Sequence, residues 1–182
     1  MALETLPETG RQCDGCTLCC KLLAIEEIAK PRCTWCVKCE TGVGCTIHPT
    51  RPNPCRNFFC GYLTRPALGE HWRPNVSGMI VVWGLDRNRI AINVDPDRAD
   101  AWRAEPYYSE IMMWAMIYPA AEVQIIIYTG HHVLAVMHDR EIDLGILPED
   151  EIIVTELVHG PRGFQPNIVA MRPDDPRLTG IL

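Results

Sequence analysis

The chain has 182 residues, 47% of them hydrophobic, and a formal net charge of −6. That length fits one domain, or a small module joined to a modest one, and it can bury an ordinary core. The negative charge argues against a general nucleic-acid binder. The longest apolar stretches, such as Ile111–Ile117, fall short of the about 20 residues that a membrane helix needs.

Residues 1–12 read as a loose leader. Met1–Thr9 carries neither a basic region nor an apolar run, which predicts no secretory signal and places the chain in the cytoplasm, where thiols stay reduced. All 10 cysteines then fall between residues 13 and 60. They read Cys13-x2-Cys16-x2-Cys19-Cys20, Cys33-x2-Cys36-x2-Cys39, Cys45, Cys55 and Cys60. An even count permits disulfides, but the missing signal and the repeated two-residue spacings weigh against them.

A Cys-x2-Cys turn aims two sulfurs at one ion, each about 2.3 Å away, while backbone N–H groups of the turn bond the thiolates. Structural zinc takes four ligands, so ten thiols serve about two ions with two to spare. Cys-x2-Cys-x2-Cys is also the spacing with which bacterial ferredoxins hold three irons of a cubane. Zinc and an iron or [4Fe-4S] site therefore both stay open, with zinc preferred because overlapping two-cysteine turns generate the same spacing. Of the adjacent pair Cys19-Cys20, one is expected to turn toward a second ion or into packing.

Charge follows the cysteines. Residues 11–65 carry eight Lys/Arg against four Asp/Glu, and residues 66–182 carry nine against seventeen. Two dications held by eight thiolates would leave about −4, which the local excess of +4 cancels. This neutralisation is preferred to a phosphate-binding patch.

Between the first two cysteine groups, Leu22, Ile25 and Ile28/Ala29 stand at helical spacing before Pro31, predicting a short helix. Cys45–Cys55 holds three prolines and predicts a stiff, extended turn. The apolar residues of 11–65 are scattered, the composition of a module folded around a metal. A composition shift near 64–75 marks the boundary, giving a cysteine-cluster module over 11–65 and an α+β domain over 66–182.

Ser77–Leu85 and Arg89–Asp95 read as strands about Asp86-Arg-Asn88, with Ile90, Ile92 and Val94 alternating. Pro106 starts a helix that runs to about Tyr118. Glu122–Tyr128 and His132–His138 form a hairpin about Thr129-Gly-His131. Glu151–Val158 is another strand and Asn167–Met171 one more, before an irregular tail. The fold class expected is α+β: a cysteine-rich metal-binding N-terminal module packed on a mostly antiparallel sheet with one principal helix.

The first run, followed by Cys45-Thr-Ile-His48-x2-Arg51-Pro-x2-Cys55-Arg-x-Phe58, resembles the YkgJ-like cysteine-cluster family, described as a zinc- or iron-chelating domain. The resemblance covers residues 13 to about 63. It implies that Cys13, Cys16, Cys19, Cys20, Cys36, Cys39, Cys45 and Cys55 are the cluster residues, with Cys60 resembling a variant of shorter bacterial members. The family has Tyr where this chain has His48, and its pattern lacks Cys33. Cys33 is then a spare thiol, and His48 a substitute ligand or a polar turn residue. The cysteine pattern is also similar to that of a flagellin lysine methylase carrying an iron–sulfur cluster.

Arg51 and Arg56 are candidates to bond thiolates. Trp35, Phe58 and Phe59 either shield the metal or pack. His131, His132 and His138 are read as hairpin residues rather than a second metal site, and the greasy run Tyr107–Met116 as core. No phosphate loop, dinucleotide fingerprint or nucleophile elbow appears, so no catalytic residue is named. The expected function is a metal-binding protein whose C-terminal part offers a surface to a protein or peptide. The alternative is an iron–sulfur enzyme of redox or methyl-transfer chemistry.

Overall fold

The computed structural model describes residues 9–84, 88–148, 150–160 and 163–180. The protein is α+β with mostly antiparallel strands and, among the described residues, few helices, one of them long. None of the described helices is long and apolar enough to cross a membrane. Contacts divide the chain into two compact units, Met1–Trp83 with Ile92–Trp102 and Gly84–Ala91 with Arg103–Leu182.

The first unit contains all the cysteines and four short helices, α1 (Leu18–Leu22), α2 (Asn53–Asn57), α3 (Gly61–Thr64) and α4 (Pro74–Ser77). It also contains a two-stranded ribbon of β1 (Cys39–Glu40) and β2 (Gly44–Cys45), and most of β3 (Met79–Gly84) beside the last residues of β4 (Arg89–Val94). The alternation read in β4 is real: Ile90, Ile92 and Val94 are buried. The turn expected at Asp86-Arg87 lies outside the described residues, as do residues 1–8 of the expected leader. Leu18, Leu22, Tyr62, Leu63 and Ile80 form the apolar centre of this unit, with Cys60 among them and Cys16, Cys19 and Cys33 packed at its edge.

The helix expected between the first two cysteine groups is largely replaced by loop. α1 ends at Leu22, and a single 3-10 turn covers Glu26–Ile28. Backbone bonding explains the break. Ile25 and Lys30 exchange N–H to carbonyl bonds of 2.9 and 3.0 Å, and Leu22 gives its carbonyl to the Cys33 N–H at 3.2 Å. Cys45–Cys55 is stiffened by proline as expected, yet it is not extended. Pro49 and Pro54 each sit in the first turn of a helical segment, His48–Thr50 and α2, where a missing N–H costs nothing.

The second unit holds the first residues of β4, then β5 (Gln124–Thr129), β6 (His132–Val136) and β7 (Glu141–Ile146) in that order, the helix α5 (Tyr107–Ile117), and the long ribbon of β8 (Ile152–Gly160) with β9 (Gly163–Met171). Its core is Ile126, Val133, Ala135, Met137, Ile153 and Ile168 with Ala120. Arg89 crosses the sheet edge to Gln124 Oε1 at 2.7 Å and the Ile153 carbonyl at 2.8 Å.

Strand β7 was not expected. Its alternating Ile142, Leu144 and Ile146 were the available signal. The register shifts between Val133 and Leu134, and Gly145 adopts φ +77°, a bulge that carries Ile146 out to solvent. In α5, Tyr107, Ile111 and Trp114 are core as expected, whereas Met113 and Met116 are exposed.

Candidate metal centre

The first cysteine turn is built by Asp14 and Gly15. Both have positive φ, +42° and +74°, and the Cys16 N–H closes on the Cys13 carbonyl at 2.8 Å. Two left-handed central residues define a type I′ turn, for which Asp-Gly is a favoured pair. Gly15 has a second role, because a Cβ there would stand 2.8 Å from the Gly42 carbonyl oxygen. The loop between β1 and β2 therefore reaches the first turn, and Gly42 N–H bonds Thr17 Oγ1 at 3.2 Å.

Helix α1 carries Cys19 and Cys20 about 100° apart around its axis. Cys19 packs against the apolar centre, while the Cys20 thiol hydrogen-bonds with Cys19 and Cys39. The adjacent pair therefore does not part as expected: the two thiols meet, and both line the cavity described below, while Cys19 also packs on the apolar centre. The Cys36 N–H donates to the Cys20 carbonyl at 2.9 Å, fixing the second turn on α1, and Cys39 N–H closes on the Cys36 carbonyl at 3.0 Å. Across the small ribbon Cys39 stands directly opposite Cys45, which puts both side chains on one face.

Helix α2 carries Cys55, and Cys60 stands at the start of α3, where its thiol accepts N–H groups of Leu63 and Tyr62. Arg51 is held in place as its proline-rich setting suggested. It bonds the His48 carbonyl at 2.9 Å and Nδ1 at 3.1 Å, and its Nε donates to the Cys55 carbonyl at 3.4 Å. Its charge offsets part of the burial that raises the thiols of Cys13 and Cys55. Arg56 reaches only the Arg51 carbonyl at 3.4 Å.

These elements surround a cavity of about 440 Å³ whose wall includes Cys13, Cys16, Cys19, Cys20, Cys36, Cys45, Cys55 and Cys60, together with His48. Cys39 is not on that wall, and its thiol meets that of Cys20. Cys33 does not reach the cavity wall; it has φ +53° and packs against the apolar centre. All ten cysteines are free thiols. Among the described residues no three His, Cys, Asp or Glu are arranged to hold an ion directly. The donor set nonetheless fits a soft metal: eight thiols, on turns whose N–H groups can bond a thiolate.

The thiols influence one another across the cavity, and Cys13 feels both Cys16 and Cys20. Cys60 feels Cys13 and Cys16, while Cys55 feels Cys20, Cys45 and Cys36. Burial, then these neighbours, raise the thiols of Cys13 and Cys55, and burial pushes Cys39 and Cys60 each up to about 11. The hydrogen bond with Cys19 raises Cys20 further still. Lys30 is the cation at their back. Its ammonium is buried and donates to the carbonyls of Lys21, Leu23 and Pro31. Desolvation lowers it, while Cys36, Cys20, Cys33 and Cys19 favour its charge. Nothing in the spacing of the sequence marked Lys30, since its partners are backbone.

In the second unit His132 Nε2 faces Asp143 Oδ1 at 2.9 Å and His138 lies 4.0 Å from Asp139, so these are surface pairs. Trp35 lies over the Lys21 ammonium at 5.8 Å, and Phe58 and Phe59 pack on the apolar centre. No family model, curated protein or solved structure matches this chain.

Proposed function

We propose that this chain is a cytoplasmic metal-binding protein whose cysteine cluster holds zinc, about two ions. The observation that carries the reading is the single cavity on whose wall eight of the ten thiols stand. A tetrahedral zinc site uses four thiolates, so eight match two ions. The resemblance of the cysteine pattern to the YkgJ-like family points the same way. The ions would organise the first unit, and the second would offer its surface to a protein or peptide. The β8–β9 ribbon supports that part, since it leaves Leu157 64% and Phe164 73% exposed.

A second reading is an iron–sulfur enzyme with redox or methyl-transfer chemistry. It is favoured by the width of the cavity, because thiols spread over a 440 Å³ wall suit a polynuclear cluster. Anaerobic purification with metal and acid-labile sulfide analysis separates the two. Colourless protein with about two zinc per chain supports the first. Brown protein with sulfide overturns it in favour of the second.

A further inference from the structure

We propose that β8 pairs edge to edge with β8 of a second copy of this chain, antiparallel about a two-fold axis at Val158, so that two ribbons become one four-stranded sheet. The inference rests on the reading of the second unit as a binding surface, names the partner, and needs no metal.

Three observations carry it. The first is which edge of the ribbon is open. The residue pairs of β8 and β9 run without a shift from Ile152 opposite Met171 to Gly160 opposite Gly163, so the main-chain groups of alternate residues point away from the neighbouring strand. Pro166, which has no N–H to give, stands opposite Leu157 and marks the outward set, which on β8 is Ile153, Thr155, Leu157 and His159. The β9 edge is blunted, because Pro166 lacks a donor and its carbonyl accepts from Arg140 at 2.9 Å. At the base of β8, the Ile153 carbonyl accepts from Arg89 at 2.8 Å. Toward the tip, the outward N–H and C=O groups of Leu157 and His159 have no hydrogen-bond partner among the described residues, and both residues are exposed.

The second observation is the face. The side that carries Ile153 and Ile168 into the core at the base of the ribbon continues past the core with Leu157 and Phe164, both exposed. Phe164 stacks edge-on to His159 with ring centroids 5.6 Å apart. Two strands alone are marginal in water, and three or more with an apolar face hold far better.

The third observation is that this edge is its own complement. An axis at Val158 sets Leu157 of each copy opposite His159 of the other, so the free groups of one edge meet only the free groups of its counterpart. Val158, 37% exposed, then faces Val158 of the second copy at the closely spaced position. Glu156 faces Gly160, so no charge opposes a like charge. Leu157 of the second copy comes beside His159 and its stacked Phe164. Self-complementarity is the ground for a second copy instead of a foreign strand. With the β9 edges blunted, pairing closes at two copies and does not grow into a fibre.

The test is sedimentation equilibrium of the full chain from about 1 µM to 1 mM, with amide hydrogen exchange on the same samples. A dimer is expected whose population rises with concentration, the Leu157 and His159 amides being protected in the dimer and free to exchange in the monomer. Val158→Lys and Val158→Glu each set like charges against one another at the axis. Each is expected to weaken self-association roughly ten-fold or more, and an equimolar mixture of the two to restore it as a heterodimer. Rescue in the mixture separates a broken contact from a misfolded chain. Leu157→Pro removes one outward N–H, as Pro166 already does on the other edge, and is expected to leave the chain folded and monomeric. A chain that is monomeric throughout, with both amides exchanging freely, overturns the inference and leaves the surface reading standing. Protection of both amides in a monomer shows the edge covered from within, and the surface reading falls with the inference. A dimer that survives both Val158 variants, or a mixture that fails to restore it, overturns the inference as well.

Discussion

The Lys21 ammonium lies 2.6 Å from the Asp95 carboxylate, both side chains largely buried, and 2.6 Å from the exposed Asp97. Residues 74 positions apart are thereby joined inside the first unit. Burial opposes the charge on Lys21, but the two carboxylates outweigh it and hold the ammonium above its usual range. Because Lys21 follows Cys20 directly, the cysteine segment is tied to the end of β4.

Removing one partner of such a pair leaves a buried charge alone. Lys21→Met is expected to cost about 3 kcal/mol of stability. Asp97→Asn, at a position with an 81% exposed side chain, is expected to cost less than about 1 kcal/mol. Denaturant titration of both variants checks this, and equal effects would show that Asp95 does not depend on Lys21.

Gly15 combines a left-handed φ with a close approach to Gly42. Gly15→Ala is expected to lose about 1–2 kcal/mol from the backbone conformation alone, and more from the clash. Bound metal per chain should fall with it. Gly10→Ala, also at positive φ but with open space around its Cβ, is the control that isolates the clash.

The thiols impose a pH dependence on metal-free protein. Cys39 and Cys60 are pushed up to about 11 from an ordinary value of 9.0. The folded chain therefore keeps protons that the unfolded chain gives up first. Stability from these groups is complete below about pH 9 and declines as pH climbs from 9 toward 11. Metal loading should run the other way, failing on acidification, because ions and protons compete for the same sulfurs. Thermal melts of chelated and metal-loaded protein across pH 5–11 would show opposite slopes; parallel slopes would contradict the assignment of Cys60 and the other cavity thiols to the metal.

Much of the fold could be read from local pattern, and the parts that could not share a cause. The β3–β4 pair, α5 between two prolines, and the hairpin at Thr129-Gly130 all carry their signal within a dozen residues. The stretch after α1 misled because Leu22 and Ile25 are buried at helical spacing, while the path between them is set by carbonyls serving Cys33 and Lys30. The gathering of thiols on one wall was anticipated in kind. The position of Cys39 outside that wall, the anchoring of Lys30 by backbone, and the Lys21–Asp95 pair depend on contacts distant in sequence or on main-chain atoms, to which spacing gives no access, whereas Cys33 is already set apart as a spare thiol by the resemblance.

Among single cysteine changes, Cys16→Ser, Cys36→Ser and Cys55→Ser should each lower bound metal, whereas Cys33→Ser should leave it near the parent level. Equal loss from Cys33→Ser and Cys36→Ser would mean the second turn is wrongly assigned.

The most direct measurement is site-by-site alkylation of the native full chain by mass spectrometry, before and after treatment with a strong chelator. The cavity thiols Cys13, Cys16, Cys19, Cys20, Cys36, Cys45, Cys55 and Cys60 are expected to be protected as purified and to label once metal is withdrawn, with Cys33 unchanged between the two. An identical labelling pattern before and after chelation would show that the cavity holds no metal, and would contradict the account.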